Sequence, residues 1–395
     1  MTARKRLPDR AAFAVVSVAL VLVFLASGSP IPLYNTFRIE NGVSNAGLAI
    51  TTVVYLTTTA LALLTTGRLS NHLGRRPVAI GAVLLAIAGC VVIASVHDLA
   101  TLMTGRVLQG LACGIASSAL GAYVIDTAPP RPRWLAAAIT SGAPGFAIPV
   151  GALLSGALVQ YAPAPRFLVF MVVGSALTIV AALLLACPET VRRAPGVLRS
   201  LRPRVLIPRG DGRILFAAGA GFVATWSLGG FYQAFSPALT ADQLGTSNAL
   251  VIAVVFSSIV VLSPIGGSLS GRFQPAGAVR GGLIVFVAAT IAILLALSIG
   301  QIVPFLIASL IGGIAQGAVN TGGMRAVLAK ARPEERSGLI ATVYLISYTG
   351  AAAPGLVAGQ LSTVLPLVTI ALGYGGVVLV AAVVAALFIR NPRRA

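Results

Sequence analysis

The amino-acid sequence predicts an all-α membrane protein whose twelve transmembrane helices form two pseudo-symmetric halves of six. Three observations carry that expectation. Only 9% of the 395 residues are charged while 57% are hydrophobic, whereas a water-soluble chain has about 25% charged residues. Apolar runs of spanning length recur twelve times between short polar connectors. The 28 Lys and Arg residues gather almost entirely in alternate connectors, the bias that orients helices in a bilayer.

The runs are Ala11 to Leu33, Ala46 to Thr66, Val78 to Val96, Thr101 to Ile125, Leu135 to Val159 and Phe167 to Cys187, then Ile214 to Phe235, Asn248 to Leu269, Val279 to Ile299, Ile302 to Ala326, Gly338 to Leu361 and Pro366 to Ile389. Hydrocarbon offers the backbone no hydrogen bonds, so a run of about 20 residues must pair its own groups as a helix. Barrel strands would be shorter and would alternate. The first run follows Arg4, Lys5, Arg6 and Arg10 like the core of a secretory signal, but it is too long for one and is read as an uncleaved first span.

With the N-terminus inside, 25 of the 28 basic residues fall in inner connectors and tails, two (Arg38 and Arg166) in outer connectors, and one, Arg106, within a span. Both termini are therefore expected in the cytoplasm and the chain in the inner (cytoplasmic) membrane. The longest connector holds Arg192, Arg193, Arg199, Arg202, Arg204, Arg209 and Arg213. It divides an N-terminal half, residues 1–187, from a C-terminal half, residues 214–395, with 188–213 as a basic cytoplasmic linker. Echoes between the halves suggest duplication. Gly67, Leu69 and Ser70 recur as Gly267, Leu269 and Ser270, Gln109-Gly110 as Gln316-Gly317, and Pro149 as Pro354.

A net charge of +19 raises the question of nucleic acid. The arginines nevertheless lack the aromatic interleaving or recognition helix that base reading needs, so no nucleic-acid partner is expected. Cys90, Cys113 and Cys187 lie inside apolar runs, and His72 and His97 sit in separate connectors. None has the spacing of a metal or disulfide framework, and no metal is expected. No Ser-His-Asp, Cys-His, paired-carboxylate or phosphate-loop arrangement points to an enzyme or an ATP-driven pump.

The connector after span 2 reads Gly67-Arg68-Leu69-Ser70-Asn71-His72-Leu73-Gly74-Arg75-Arg76-Pro77. Gly67 suits close backbone approach, Gly74 a tight turn and Pro77 the first turn of span 3. This segment resembles the loop signature of the major facilitator superfamily, which runs Gly, three residues, Asp, Arg, one residue, Gly and two basic residues. Gly67, Gly74, Arg75 and Arg76 match, while Asn71 and His72 stand where the family has Asp and Arg. The resemblance implies a conformational latch, weakened here because Asn71 brings no charge to a helix dipole.

Arg106-Val107-Leu108-Gln109-Gly110 carries the one charge clearly inside a span. A charge there is costly and marks function by default, the plainer alternative being a side chain that reaches back to the outer headgroups. The set is similar to the superfamily's span-4 motif, which implies a part in substrate binding or proton coupling for Arg106 and Gln109. Asp126 ends the same span where the superfamily often pairs an acid with the loop arginines, so Arg75 or Arg76 is its expected partner, the alternative being a solvated charge at headgroup level. Gly145, Pro149 and Gly151 in span 5, with Pro354 and Gly355 in span 11, predict helices that kink and flex. Span 5 is only partly similar to the Gly-Pro-Gly signature of drug antiporters.

Polar and aromatic side chains within spans give the cavity candidates: Asn35, Tyr55, Tyr123, Trp226, Tyr232, Gln233, Gln316, Asn320, Tyr344 and Tyr348. For the aromatic ones an interfacial or packing role is the alternative. The resemblance implies a secondary transporter working by alternating access, in a branch like the multidrug/proton antiporters. It implies a small-molecule substrate, the lipid bilayer as surroundings, a monomer, and no cofactor beyond the proton as coupling ion. All nine acids lie in tails, connectors or span ends, so a neutral or weakly anionic hydrophobic substrate is expected, with Asp126 and Glu40 as the available proton sites. Uptake of a nutrient by symport or facilitated diffusion is the alternative within transport, and a membrane sensor or enzyme the alternative outside it.

Overall fold

Because the bilayer leaves a backbone no partner outside its own segment, the twelve apolar runs are helices. The computed structural model describes residues 6–132, 134–203, 206 and 212–391, with no strand among them. Twelve of the helices among the described residues are long and apolar enough to cross a membrane. The first six are α1 (Asp9–Gly28), α2 (Asn45–Thr66), α3 (Arg75–Ala94), α4 (Leu99–Asp126), α5 (Trp134–Tyr161) and α6 (Pro165–Leu184). The second six are α7 (Gly212–Asp242), α8 (Ala249–Ser270), α9 (Pro275–Ser298), α10 (Ile302–Leu328), α11 (Pro333–Leu361) and α12 (Leu367–Phe388). Arg4, Lys5, Arg133, Arg204, Arg209, Asp211, Arg393 and Arg394, which enter the sequence charge pattern, lie outside the described residues.

Helix ends follow local chemistry. Asp98 precedes α4 and its Oδ1 accepts from the Thr101 amide at 2.8 Å. The Thr101 hydroxyl and that amide hold the Asp98 carboxyl below its ordinary range. Asn248 caps α8 by accepting from the amides of Leu250 and Val251. Two proline breaks escaped the hydropathy pattern. The first span does not run unbroken to Leu33: α1 ends at Gly28, and a 3₁₀ turn at Ile31–Leu33 leads into a short helix, Tyr34–Asn41. Helix α8 is interrupted at Leu262, just before Pro264. In both places the proline has no N–H to continue the ladder.

The chain forms two compact units, Met1–Gly42 with Thr57–Pro203 and Val43–Leu56 with Arg204–Ala395. The first part of α2 is thus grouped with the second unit and the rest of it with the first. Between apolar helices in lipid there is little hydrophobic driving force, so association depends on small residues that let backbones touch. In the first unit, a Cβ added to Gly28 would run into the Ile148 carbonyl, and one added to Gly151 into the Leu25 carbonyl, joining α1 to α5. A Cβ on Gly114 of α4 would lie 2.5 Å from the Thr59 carbonyl of α2, and one on Gly89 of α3 would lie 3.0 Å from Gln109 Cγ of α4.

The second unit repeats these pairings six helices later. A Cβ on Gly230 of α7 would stand 2.9 Å from the Ala351 carbonyl of α11. Gly266 of α8 and Gly317 of α10 face the Ile314 and Ser263 carbonyls, and a Cβ on Gly282 of α9 would lie 2.8 Å from Val319 Cγ2 of α10. Arginines close the helix ends of this unit, where a cation complements the C-terminal dipole. Arg280 donates to the carbonyls of Ala386 and Ile389, and Arg325 to those of Ser270 and Phe273.

Replacing Gly151 by Leu is expected to separate α5 from α1 and lower the thermal midpoint of the purified protein by several degrees, in line with overpacking costs of about 1–3 kcal/mol. Gly81→Ala is the control, since a Cβ there meets nothing within 4 Å. Equal melting of the two variants would contradict the backbone contact.

Candidate functional site

The polar centre of the first unit is built on the end of α1. Pro30 has no N–H, so the Ala26 carbonyl four residues earlier lacks its helical donor. Gln109 Nε2 of α4 supplies one at 2.8 Å. The next carbonyl, that of Ser27, accepts from Arg106 Nη1 at 2.8 Å, and the same Nη1 donates to Gln109 Oε1 at 2.9 Å. Ser155 of α5 donates to the Ser29 carbonyl at 2.6 Å. Arg106 is 0% exposed, so its guanidinium is turned into the unit, onto the negative end of the α1 dipole.

A second polar network lies where α2, α3, α4 and α6 end. Arg75 Nε meets Asp126 Oδ2 at 2.8 Å, and Arg75 Nη1 donates to Ser70 Oγ at 2.7 Å and to Asn71 Oδ1 at 2.5 Å. Asn71 therefore serves as an acceptor in the loop despite its missing charge. Thr190 also donates to Asp126, at 2.9 Å. Gly74 adopts φ +101°, and a Cβ there would stand 2.6 Å from the Glu189 carboxylate. That close approach lets Glu189 accept from the amides of Arg75 and Arg76, at 2.7 and 3.1 Å, as the cap of α3. Arg76 Nη1 donates to the carbonyls of Leu185 and Cys187 at the end of α6.

The linker continues this network. Arg68 Nη2 donates to the carbonyls of Ser200 and Arg202, at 3.2 and 2.9 Å. His72 Nδ1 lies 3.0 Å from the Pro195 carbonyl, and the His72 carbonyl accepts from the Ala194 amide. At another set of helix ends Arg166 gathers Glu40, Asn41 and the Val96 carbonyl at 2.7 to 2.8 Å. Its guanidinium lies 5.5 Å from the centre of the Phe37 ring.

The cavity candidates occupy several environments. Asn35 is 6% exposed, and its Oδ1 has no hydrogen-bond partner among the described residues. Tyr55 is buried in α2 and Gln233 in α7. Tyr123 is buried in α4 with its hydroxyl donating to the Pro188 carbonyl, which ties it to the start of the linker. Tyr232 is 1% exposed, 2.5 Å from Ser309 Oγ and stacked on Phe305. Trp226, Tyr344 and Tyr348 form a half-buried group, and Asn320 Oδ1 accepts from Thr225 at 2.9 Å. Of the flexing candidates, Gly145, Pro149 and Gly151 lie in α5, and Pro354 and Gly355 in α11.

From the sequence Glu189 and Arg166 are connector charges and no more, and the role of Pro30 has no sign there. One signal for Glu189 was its isolation, an acid directly after span 6 in a linker rich in arginine. Glu189→Gln is expected to weaken the α3 cap by about 1–2 kcal/mol and to speed hydrogen exchange at the amides of Arg75 and Arg76, whereas Asp126→Asn leaves those amides protected. Unchanged exchange in Glu189→Gln would remove Glu189 from this role.

Multidrug resistance protein MdtL of Klebsiella pneumoniae subsp. pneumoniae is 30% identical over 201 residues, covering 50% of this chain and 49% of that protein. The chain thus aligns with between 31% and 49% of the length of the curated relatives it matches. Among solved structures, the human organic anion transporter MFSD10 (TETRAN) has a TM-score of 0.63 at 19% identity, and the nucleoside transporter NupG one of 0.73 at 10% identity. Each alignment covers 96% of this chain and 100% of the other, which shows a shared fold. The model of the Major Facilitator Superfamily matches residues 16–303 and again 217–395, so the chain belongs to that superfamily.

Proposed function

We propose that this chain is a secondary active transporter that works by alternating access and exports small, neutral or weakly anionic hydrophobic compounds in exchange for protons. The observation that supports this most directly is the buried Arg106, held with Gln109 on carbonyls at the end of α1. A permanent cation at such depth is expensive unless it is used. With all nine acids in tails, connectors or span ends, the spans offer an anion or an electron-rich neutral molecule more than they offer a cation. The relatives named as multidrug resistance proteins support export of drug-like molecules.

Proton coupling in this reading runs through the ion pairs at the helix ends of the first unit. Protonating Asp126 would loosen Arg75, which keeps Ser70 and Asn71, and protonating Glu40 would loosen Arg166, which keeps Asn41 and the Val96 carbonyl, because a neutral carboxyl loses the charge-assisted part of each bond. Either event would lower the cost of separating the helices at one end of the unit. Alternating access needs such end contacts to break and re-form as the site opens to one side and then the other. The substrate leaves chemically unchanged and the proton is the only co-reactant. The reading includes two halves, 1–187 and 214–395, joined by the linker 188–213. It also includes residence in the inner membrane as a monomer, with both termini cytoplasmic.

The test is intracellular accumulation of neutral, anionic and cationic fluorescent dyes in cells with and without the protein, before and after collapse of the proton gradient. Neutral and anionic dyes should accumulate less in expressing cells until the gradient is lost. Arg106→Ala should reduce export by at least about tenfold, the scale of losing charged hydrogen bonds, at unchanged membrane abundance. Full export by that variant, or accumulation unaffected for every dye, would overturn the reading. A fluorescent reporter fused after Thr246 should stay dark outside the cell, and cytosolic brightness from it would reverse the topology.

A further inference from the structure

We propose that the second unit holds a recognition site for planar aromatic molecules that carry a hydrogen-bond donor and an acceptor but no positive charge. It is built from Trp226, Tyr344 and Tyr348 together with Gln316, Asn320 and the open face at Gly229. The inference rests on the transport reading only for its physiological purpose, since the site is defined by geometry within one unit.

Besides the exposed pair Phe216 and Phe388, two aromatic groups among the described residues of this unit differ in exposure. Phe231, Tyr232, Phe235 and Phe305 are 2% exposed or less and pack on one another and on Tyr374. They are core. Trp226 of α7 meets Tyr348 of α11 edge to face, centroids 5.0 Å apart at 67°, and Tyr344 lies 6.2 Å from Tyr348 at 32°. All three remain half-buried. The backbones beneath them are held close, because a Cβ on Gly350 of α11 would stand 3.0 Å from Val223 Cα of α7. The rings are therefore preset rather than assembled on binding.

Helix α10 supplies the polar groups at the same depth. Residues 316, 320 and 323 share one helix face. At 323, an added Cβ would meet the Phe222 ring at 2.9 Å, and at 320 the amide meets Thr225, so this face is turned to α7. Thr225 occupies Asn320 Oδ1, which leaves Asn320 Nδ2 as the donor that side chain can offer. Gln316, one turn further along, has its Oε1 buried with no hydrogen-bond partner among the described residues. One turn beyond Trp226 on α7, a Cβ on Gly229 would meet nothing within 4 Å. An acceptor without a donor and an open helix face thus lie beside a half-exposed aromatic group.

Aromatic rings engage the faces and edges of Trp and Tyr in stacked or T-shaped contact. An orphaned buried acceptor costs free energy that a ligand donor would recover. A cation could also lie over these rings, but no carboxylate in the middle of α7, α10 or α11 would offset its desolvation. A neutral aromatic amide, with one N–H and one carbonyl on a flat ring system, matches the set better.

The chain has two tryptophans, Trp134 and Trp226. Trp134→Phe therefore leaves Trp226 as the only indole emitter. Purified Trp134→Phe protein in detergent would be titrated with benzanilide, N-methylbenzanilide, which lacks the N–H, and benzyltrimethylammonium, which is cationic. Benzanilide should change the emission saturably, and the other two should bind at least about threefold more weakly. Adding Gln316→Leu should weaken benzanilide about three- to tenfold, the scale of one neutral hydrogen bond, and Gly229→Leu should abolish the response. Gln316→Met and Gly229→Ala, with smaller effects in the same direction, serve where the larger changes prevent folding.

Tighter binding of the cation, or an emission response indifferent to Gln316, would overturn the site. Binding needs no gradient, so the two readings fail separately. Dye export by a protein whose Trp226 ignores benzanilide sinks the site alone. A saturable Trp226 response in a protein that exports nothing sinks the transport reading alone.

Discussion

The bilayer interior offers no hydrogen bonds, and the architecture of this chain follows from that constraint. Backbone groups must be paired inside each span, so the spans are helices. Any carbonyl that a proline strips of its donor must find another partner. The end of α1 shows the consequence most clearly. Pro30 orphans the Ala26 carbonyl, Gln109 fills it, and Arg106 takes the Ser27 carbonyl beside it. The fully buried charge of Arg106 thus donates to a main-chain carbonyl of a neighbouring helix, with a glutamine as its side-chain companion.

The same constraint explains why glycine does so much of the packing. With lipid as apolar as the side chains, helices gain by close backbone contact more than by burying surface. The first unit places glycines of α1, α3, α4 and α5 against neighbouring backbones or against Gln109, and the second unit repeats the arrangement with α7, α8, α9 and α10. Charges collect at helix ends, where water and headgroups are within reach. There Arg75 joins Asp126, Arg166 joins Glu40, and Glu189 caps α3. Within the spans a polar group can stay unengaged, as Gln316 Oε1 does among the described residues, and the proposed recognition site rests on that orphaned acceptor.

Much of this was legible in the sequence. Run length and composition set the number of helices, and the predicted ends agree with the observed ones to within a few residues at most positions. Arg106 and Gln109 stood out because charge and amide are rare in a span. The arginine loop stood out by its glycine spacing. The two proline breaks did not register, because hydropathy is indifferent to whether an N–H is present. Both Pro30 and Pro264 sit in apolar company that reads as continuous helix.

What the sequence by itself determined is the set of properties that depend on neighbours along the chain: twelve helices, the connectors in which positive charge gathers, and which few side chains are out of place in lipid. Only the tertiary structure decided which partners those side chains meet. Glu189 reaches an amide 114 residues away and Arg106 a carbonyl 79 residues away, separations at which no local pattern signals a contact. The physical reason is that hydropathy is a property of each segment, whereas a hydrogen bond in a dry interior is a property of two segments brought together.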